Sequence, residues 1–202
     1  MHHANPTASA PVPRPGLLAR LRRDARGLAG VEFALVFPLL AMLFAGGFTL
    51  FEMFRFAERL EASTATVADI VSRQPTVDDA SMARFHQTFA HLVKLPQNEA
   101  MIRITSIEHV VTEEGKNGAP DMTEMQVRWV YDTRTGITTT PANLPMNKLP
   151  IIAVDDSVLV VESWATGDTT FKTLSENGLY SADYDSMAMV RPRYVAKIRY
   201  LD

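Results

Sequence analysis

Five histidines, 23 carboxylates and no cysteine bound the chemistry open to this 202-residue chain. His86 and His91 lie five residues apart, about 140° around a helix, whereas a helical zinc pair needs i, i+4 spacing. They read as ordinary surface or partly buried histidines. Asp155 and Asp156 are adjacent acids ahead of an apolar run, a pattern that suits a solvated turn better than the spaced oxygen ligands of a calcium loop. There is no thiol for a nucleophile, no glycine-rich phosphate loop after a strand and no GxSxG elbow. The sequence therefore predicts no catalytic residue, no metal, no cofactor and no enzyme. One acid stands apart: Glu32 follows Gly27 by five residues and opens a long uncharged apolar run. Acids in such settings are functional hypotheses. A positional account competes with that, because a carboxylate in the first turn of a helix gains about 0.3–1 kcal/mol from the helix dipole.

The surroundings of Glu32 follow from charge and length. Residues 1–27 hold Arg14, Arg20, Arg22, Arg23 and Arg26 against Asp24, a net +4, and the rest of the chain carries −7. Between them Phe33–Phe51 runs for 19 residues without a charge, bracketed by Glu32 and Glu52. As a helix this stretch would measure about 28 Å, close to the ~30 Å hydrocarbon core of a bilayer. Eleven of its residues are Leu, Phe or Val, which outweigh Pro38, Gly46, Gly47 and Thr49 on the insertion scale. Arginines beside a span stay cytoplasmic, so the N-terminus is predicted inside and residues 52–202 outside. A cleaved secretory signal fits less well, since its apolar core is usually about 7–15 residues and EMFRFAERLEAS offers no small-x-small cleavage site. The arginine cluster is explained by topology and anionic lipid, and no nucleic acid is expected as a partner.

Around Glu32 the sequence reads RGLAGVEFALVFPLL. It resembles a type IV prepilin signal, in which a membrane-embedded aspartyl peptidase cuts after the glycine and leaves Glu at position five. By that resemblance the processed bond is Gly27–Leu28; Gly30 would put Glu32 at position two. The wider stretch over about residues 26–60 is similar to the TadE/TadG-like pseudopilins of the tight-adherence (Flp) pilus system. Val31, Glu32, Phe33, Ala34, Leu35, Pro38, Leu39 and Leu40 occupy that family's core pattern. The run VDDSVLVVESWATGDTTF from Val154 bears a weaker resemblance to its closing strand. The resemblance implies a minor pseudopilin of the bacterial inner membrane, crossing once, with a cytoplasmic N-terminus and a periplasmic C-terminal domain. Its role would be structural, priming or assembling pili used in cell adhesion. Its partners would be the prepilin peptidase, other Tad pilus assembly proteins and pilins. Glu32 would be the recognition and packing acid, with Phe33 as its aromatic neighbour. In an assembly, the new amine at Leu28 would pair with Glu32 of a neighbouring subunit. Pro38 would kink the helix or loosen its hydrogen bonding, or be tolerated in a straight one. Whether the leader is cleaved, as in TadE-like members, or kept, as in TadG-like ones, stays open. The alternative function is an unprocessed single-pass periplasmic adaptor or binding protein.

The rest of the chain reads as a folded domain. Phe54, Ala57, Leu60 or Glu61, Thr64, Val67 or Ala68 and Val71 recur at helical spacing, so the apolar helix is predicted to continue to about Arg73. Small residues Ala57, Ala62, Ser63, Ala65 and Ala68 on this half would allow close packing. Pro75 ends the helix. Thr76, with Asp79 three residues on, suggests an N-cap for a second helix over 78–94 that carries Met82, Phe85, Phe89, Leu92 and Val93. A strand from Ala100 to Val111 and a partner over Met122–Asp132 read as a hairpin, the second with Met125, Val127, Trp129 and Tyr131 on one face. Residues 133–148 form a loop. Ser157–Ala165 is a third strand, and Met189–Tyr200 a fourth, with Pro192 demoting its start. The predicted class is α+β: a long N-terminal transmembrane helix, then a small periplasmic domain with a second helix and about four antiparallel strands. The predicted divisions are a basic, proline-rich leader over 1–27, the transmembrane segment over 28–51 and the head over 52–202. About 150 residues suffice for one core without disulfides.

Overall fold

The computed structural model describes residues 28–115, 121–137, 139, 143–167 and 183–201. The chain divides into two compact units, one ending at Gly47 and one running from Phe48 to Asp202. Helix α1 spans Leu28–Ser72, 45 residues, with Pro38 inside it. In the first unit residues 30–44 are all exposed; Leu35, Met42 and Phe44 reach 74%, 76% and 77%. A helix apolar on every side and uncovered by protein is matched to an apolar solvent. By length and composition it is able to cross a membrane.

In the second unit α1 buries Leu60, Ser63, Thr64, Val67, Ala68, Val71 and Ser72, an inward stripe at the helical period. Phe54, which the sequence placed on this stripe, is 70% exposed. Phe56 packs on the core instead, its ring 5.0 Å from that of Tyr184. The reason is helical geometry: Phe56 is i−4 from Leu60 and shares its face, whereas Phe54 is six residues away and does not. Leu60, not Glu61, takes the inward place, and Ala62 and Ala65 stay exposed. The end of α1 is closed by local bonds. Arg73 and Gln74 donate their N–H groups to Ile70 and Val71, and the Arg193 N–H reaches the Ser72 carbonyl at 2.8 Å, so carbonyls that a helix end leaves open are used.

Beyond Pro75, Thr76–Asp78 forms strand β1, and helix α2 spans Asp79–Val93. The cap is therefore Asp78, two residues after the expected Thr76, whose backbone is committed to β1. The Asp78 carboxylate accepts from the Ser81 N–H at 2.8 Å, and the Ser81 hydroxyl oxygen accepts from the Asp78 N–H at 2.9 Å, a reciprocal capping box. At the other end Lys94 adopts a left-handed conformation (φ 66°). Its N–H meets His91 O and that of Leu95 meets Ala90 O, the Schellman pair that ends a helix.

Four strands form an antiparallel sheet in the order β3-β2-β4-β5: β2 Ala100–Glu113, β3 Met122–Asp132, β4 Ser157–Thr166 and β5 Asp183–Val190. One face lies against α1 and α2, where Ile102, Ile104, Leu159 and Val161 join Val67, Val71, Met82 and Phe89 in the main core. On the other face Ile107, Val158 and Val160 pack with Ile152, Met146 and Leu149 from the connection before β4. The four residues that sequence alternation put on one face of β3 are split. Trp129 and Tyr131 pack in the main core, and Met125 and Val127 in the second cluster. Ser106 pairs with Trp129 and Ile107 with Val127, so Arg128 is an extra residue, a β-bulge that resets the alternation.

The fourth strand also differs from the expected Met189–Tyr200. β5 is Asp183–Val190, and β6, Arg199–Leu201, pairs in parallel with β1 in a separate two-stranded sheet. Pro192 has no N–H to give a ladder. The next N–H, that of Arg193, is spent on Ser72, while the Arg193 side chain pairs with Asp69 at 2.6 Å. The chain thus leaves one sheet, fastens to the end of α1 and enters another.

Two carboxyls make the fold acid-sensitive. Asp78 is held below its ordinary 3.8 by the Ser81 backbone N–H and then the Ser81 hydroxyl. Burial pushes Asp132 upward, but hydrogen bonds from the Arg134 guanidinium and backbone and from Thr139 together bring it below 3.8. Both are more acidic folded than unfolded. The stability they contribute is full above pH 3.8 and is lost as pH falls through the lower folded values. Denaturant midpoints of the detergent-solubilised chain should drop below that pH, and drop less in an Asp78→Asn, Asp132→Asn double variant. An equal drop in the variant would contradict this assignment.

Candidate functional site

Of the five residues singled out by the motif, Gly27 lies outside the described residues and Leu28 is the first residue of α1. Glu32 is the fifth residue of the helix and is exposed. The first turn of α1 contains no acid. This corrects the positional account of Glu32: the dipole acts through the first turn, where N–H groups lack helical acceptors, and Glu32 lies beyond it. The helix begins earlier than the apolar run suggests because Leu28, Ala29 and Val31 continue its composition back from Phe33.

Phe33 is 63% exposed, and its ring lies 5.4 Å from that of Phe37 at an interplanar angle of 35°. The pair is i, i+4, so it lines one side of the helix. Pro38 follows Glu32 by six residues, about 120° away around the axis, so the helix does not bring the two side by side. What the segment presents is one carboxylate on an otherwise uncharged, uncovered apolar helix. That arrangement can pair with a cation where water is scarce. Among the described residues no three His, Cys, Asp or Glu side chains converge as they would to hold a metal ion.

The other candidates are part of the fold. His86 Nε2 lies 2.8 Å from the Ala100 carbonyl and joins α2 to β2; His91 is exposed. Asp155 has a left-handed backbone (φ 66°), its N–H donates to His109 O, and Asp156 O accepts from His109 N–H. Asp156 is paired with Arg191 at 3.5 Å and Asp155 with Lys197 at 3.6 Å. The two acids shape the turn into β4.

Sequence reading passed over the most buried charge among the described residues. Arg103 is 2% exposed, directly opposite Glu162 on β4, with its Nη2 2.6 Å from the carboxylate and its Nε 2.7 Å away. The same guanidinium donates to Asn143 O at 3.0 Å and lies 5.3 Å from the Trp164 ring, over which Arg134 sits at 3.8 Å. A signal existed: Arg103 and Glu162 each interrupt an apolar strand, and opposite charges in paired strands are expected to meet. Compared with protein families, curated proteins and solved structures, the chain matches none of them.

Proposed function

We propose that the chain is a minor pseudopilin of a TadE/TadG-like tight-adherence pilus system, a non-enzymatic assembly protein held in the bacterial inner membrane. The observation that carries the reading is the uncovered apolar stretch of α1 with its single acid. The helix is described from Leu28 onward. It sets Glu32 at its fifth position, beyond the first turn, and leaves residues 30–44 uncovered. A helix dipole does not account for the acid, and burial within the protein does not account for the apolar surface. Insertion in lipid accounts for the surface, and pairing with the amine that processing frees at Leu28 accounts for the acid.

In this reading residues 1–27 stay cytoplasmic under the positive-inside rule, and the α+β unit stands in the periplasm. Its surface meets the pilins and other assembly proteins, while the prepilin peptidase acts at Gly27. Fractionation tests the topology. The chain should stay with membranes in alkaline carbonate, and its C-terminal unit should be digested by protease in spheroplasts but not in intact cells. Co-purification with pilus assembly proteins after cross-linking is the expected second result. Release by carbonate, or a C-terminal unit protected in spheroplasts, would contradict the proposal. Stable membrane attachment with no pilus-system partner would favour the unprocessed adaptor.

A further inference from the structure

We propose that the cleft between strands β3 and β6 binds an extended acidic segment of a partner polypeptide, added as a strand that bridges the two. The proposal concerns the α+β unit alone and is independent of how the N-terminal helix is used. Among the described residues β3 is an edge strand of the four-stranded sheet, and β6 is paired on one side only, by β1. Each therefore has an edge on which N–H and C=O groups lack a ladder partner. Between them lies a cleft of about 710 Å³ lined by Arg128 and Trp129 of β3, by Glu108, and by the continuous run 197–201 that contains β6. β6 itself is three residues, Arg199–Leu201, about 10 Å of strand, enough to pair with a short added strand.

Two features give the cleft a defined wall. The Trp129 indole N–H donates to the Ile198 carbonyl at 2.8 Å, and the Trp129 and Tyr200 rings are 5.5 Å apart. Tyr200 is itself fixed by its hydroxyl, which is hydrogen-bonded to the Asp79 carboxylate. An incoming strand would meet fixed aromatic surface with backbone groups on either side, the combination by which strand addition gains both affinity and register.

Charge selects the occupant. The lining carries Arg128, Lys197 and Arg199 against one acid, Glu108. Glu108 is already engaged, 3.9 Å from Arg128 and 3.6 Å from Lys197, with its side chain 11% exposed. The Arg128 side chain is 70% exposed, and Arg199 is exposed with no ion-pair partner among the described residues. The bulge at Arg128 places this cation on the rim. The opposite sheet edge has the other sign, with exposed Asp183 and Asp185 on β5. β5 is already held by β4, and a bridging strand needs both of its edges free, so the occupant is an extended segment outside any sheet.

The test uses the purified full chain in nonionic detergent and two synthetic eight-residue peptides, one alternating Glu with Val and one alternating Lys with Val. The acidic peptide should bind and the basic one should not. Arg128→Glu combined with Arg199→Glu should weaken binding by about tenfold or more, and Lys148→Glu, at an exposed position elsewhere, should leave it unchanged. Hydrogen exchange separates strand addition from loose electrostatic adherence. Amides within Met122–Asp132 and Arg199–Leu201 should exchange about tenfold more slowly with peptide bound. Equal binding of the basic peptide, full binding by the doubly reversed variant, or binding without amide protection would each overturn the proposal.

Discussion

Removing the Glu162 carboxylate, as in Glu162→Ala, is expected to destabilise the α+β unit by about 3–5 kcal/mol. Arg103 would keep its charge at 2% exposure with the Asn143 carbonyl as its remaining hydrogen-bond acceptor among the described residues. An uncompensated buried charge costs far more than the pair contributes, because the penalty is desolvation and not the lost attraction. Against a total stability of about 5–15 kcal/mol for a domain of this kind, the loss is large. Both tryptophans of the chain, Trp129 and Trp164, lie in this unit, so their near-ultraviolet signal follows its unfolding in denaturant. Replacing both partners, Arg103→Met with Glu162→Leu, should restore most of the stability, since apolar groups of similar volume often match a buried pair. A single variant within about 1 kcal/mol of the parent, the level of an exposed pair, would show that the guanidinium has another route to solvent.

The second large effect concerns assembly. Glu32→Ala is expected to abolish incorporation into pilus assemblies while leaving the protein in the membrane and the α+β unit folded. A hydrogen bond to a charged group is worth about 1.5–3 kcal/mol, which is about ten- to hundredfold in an association equilibrium. In the proposed setting, where lipid would exclude water, the carboxylate would have few alternatives to the amine of a neighbouring subunit. Glu32→Asp should recover part of the loss by keeping the charge. Counting surface pili and cross-linked assemblies in cells with each variant reads this directly. Normal pili from the alanine variant would remove the acid from any assembly role.

Much of the fold was legible because it follows local periodicity. The long helix, its stop at Pro75, the second helix and the β2–β3 hairpin all show in spacing of apolar residues, and α+β architecture follows from them. What was not legible depends on distant partners. The segment DYDSMAMV of β5 has little β-propensity, and only pairing with β4 makes it a strand. The bulge at Arg128 and the division of the C-terminal run at Pro192 are settled by contacts with β2 and with the end of α1. Thr76 suits a cap by residue type, but β6 recruits it into β1. Glu32 was visible at once from the motif. Its depth in the helix was not, because the start at Leu28 lies among residues too apolar to mark a boundary.

The central claim is tested most directly by the N-terminus of the membrane-extracted protein, determined by intact mass and terminal sequencing in cells with and without the prepilin peptidase. The account predicts a start at Leu28 that depends on the peptidase, with Gly27 and the leader retained when the peptidase is absent. An intact Met1 in both strains would contradict processing and leave an unprocessed anchor, and a start beyond Phe51 would contradict the membrane topology itself.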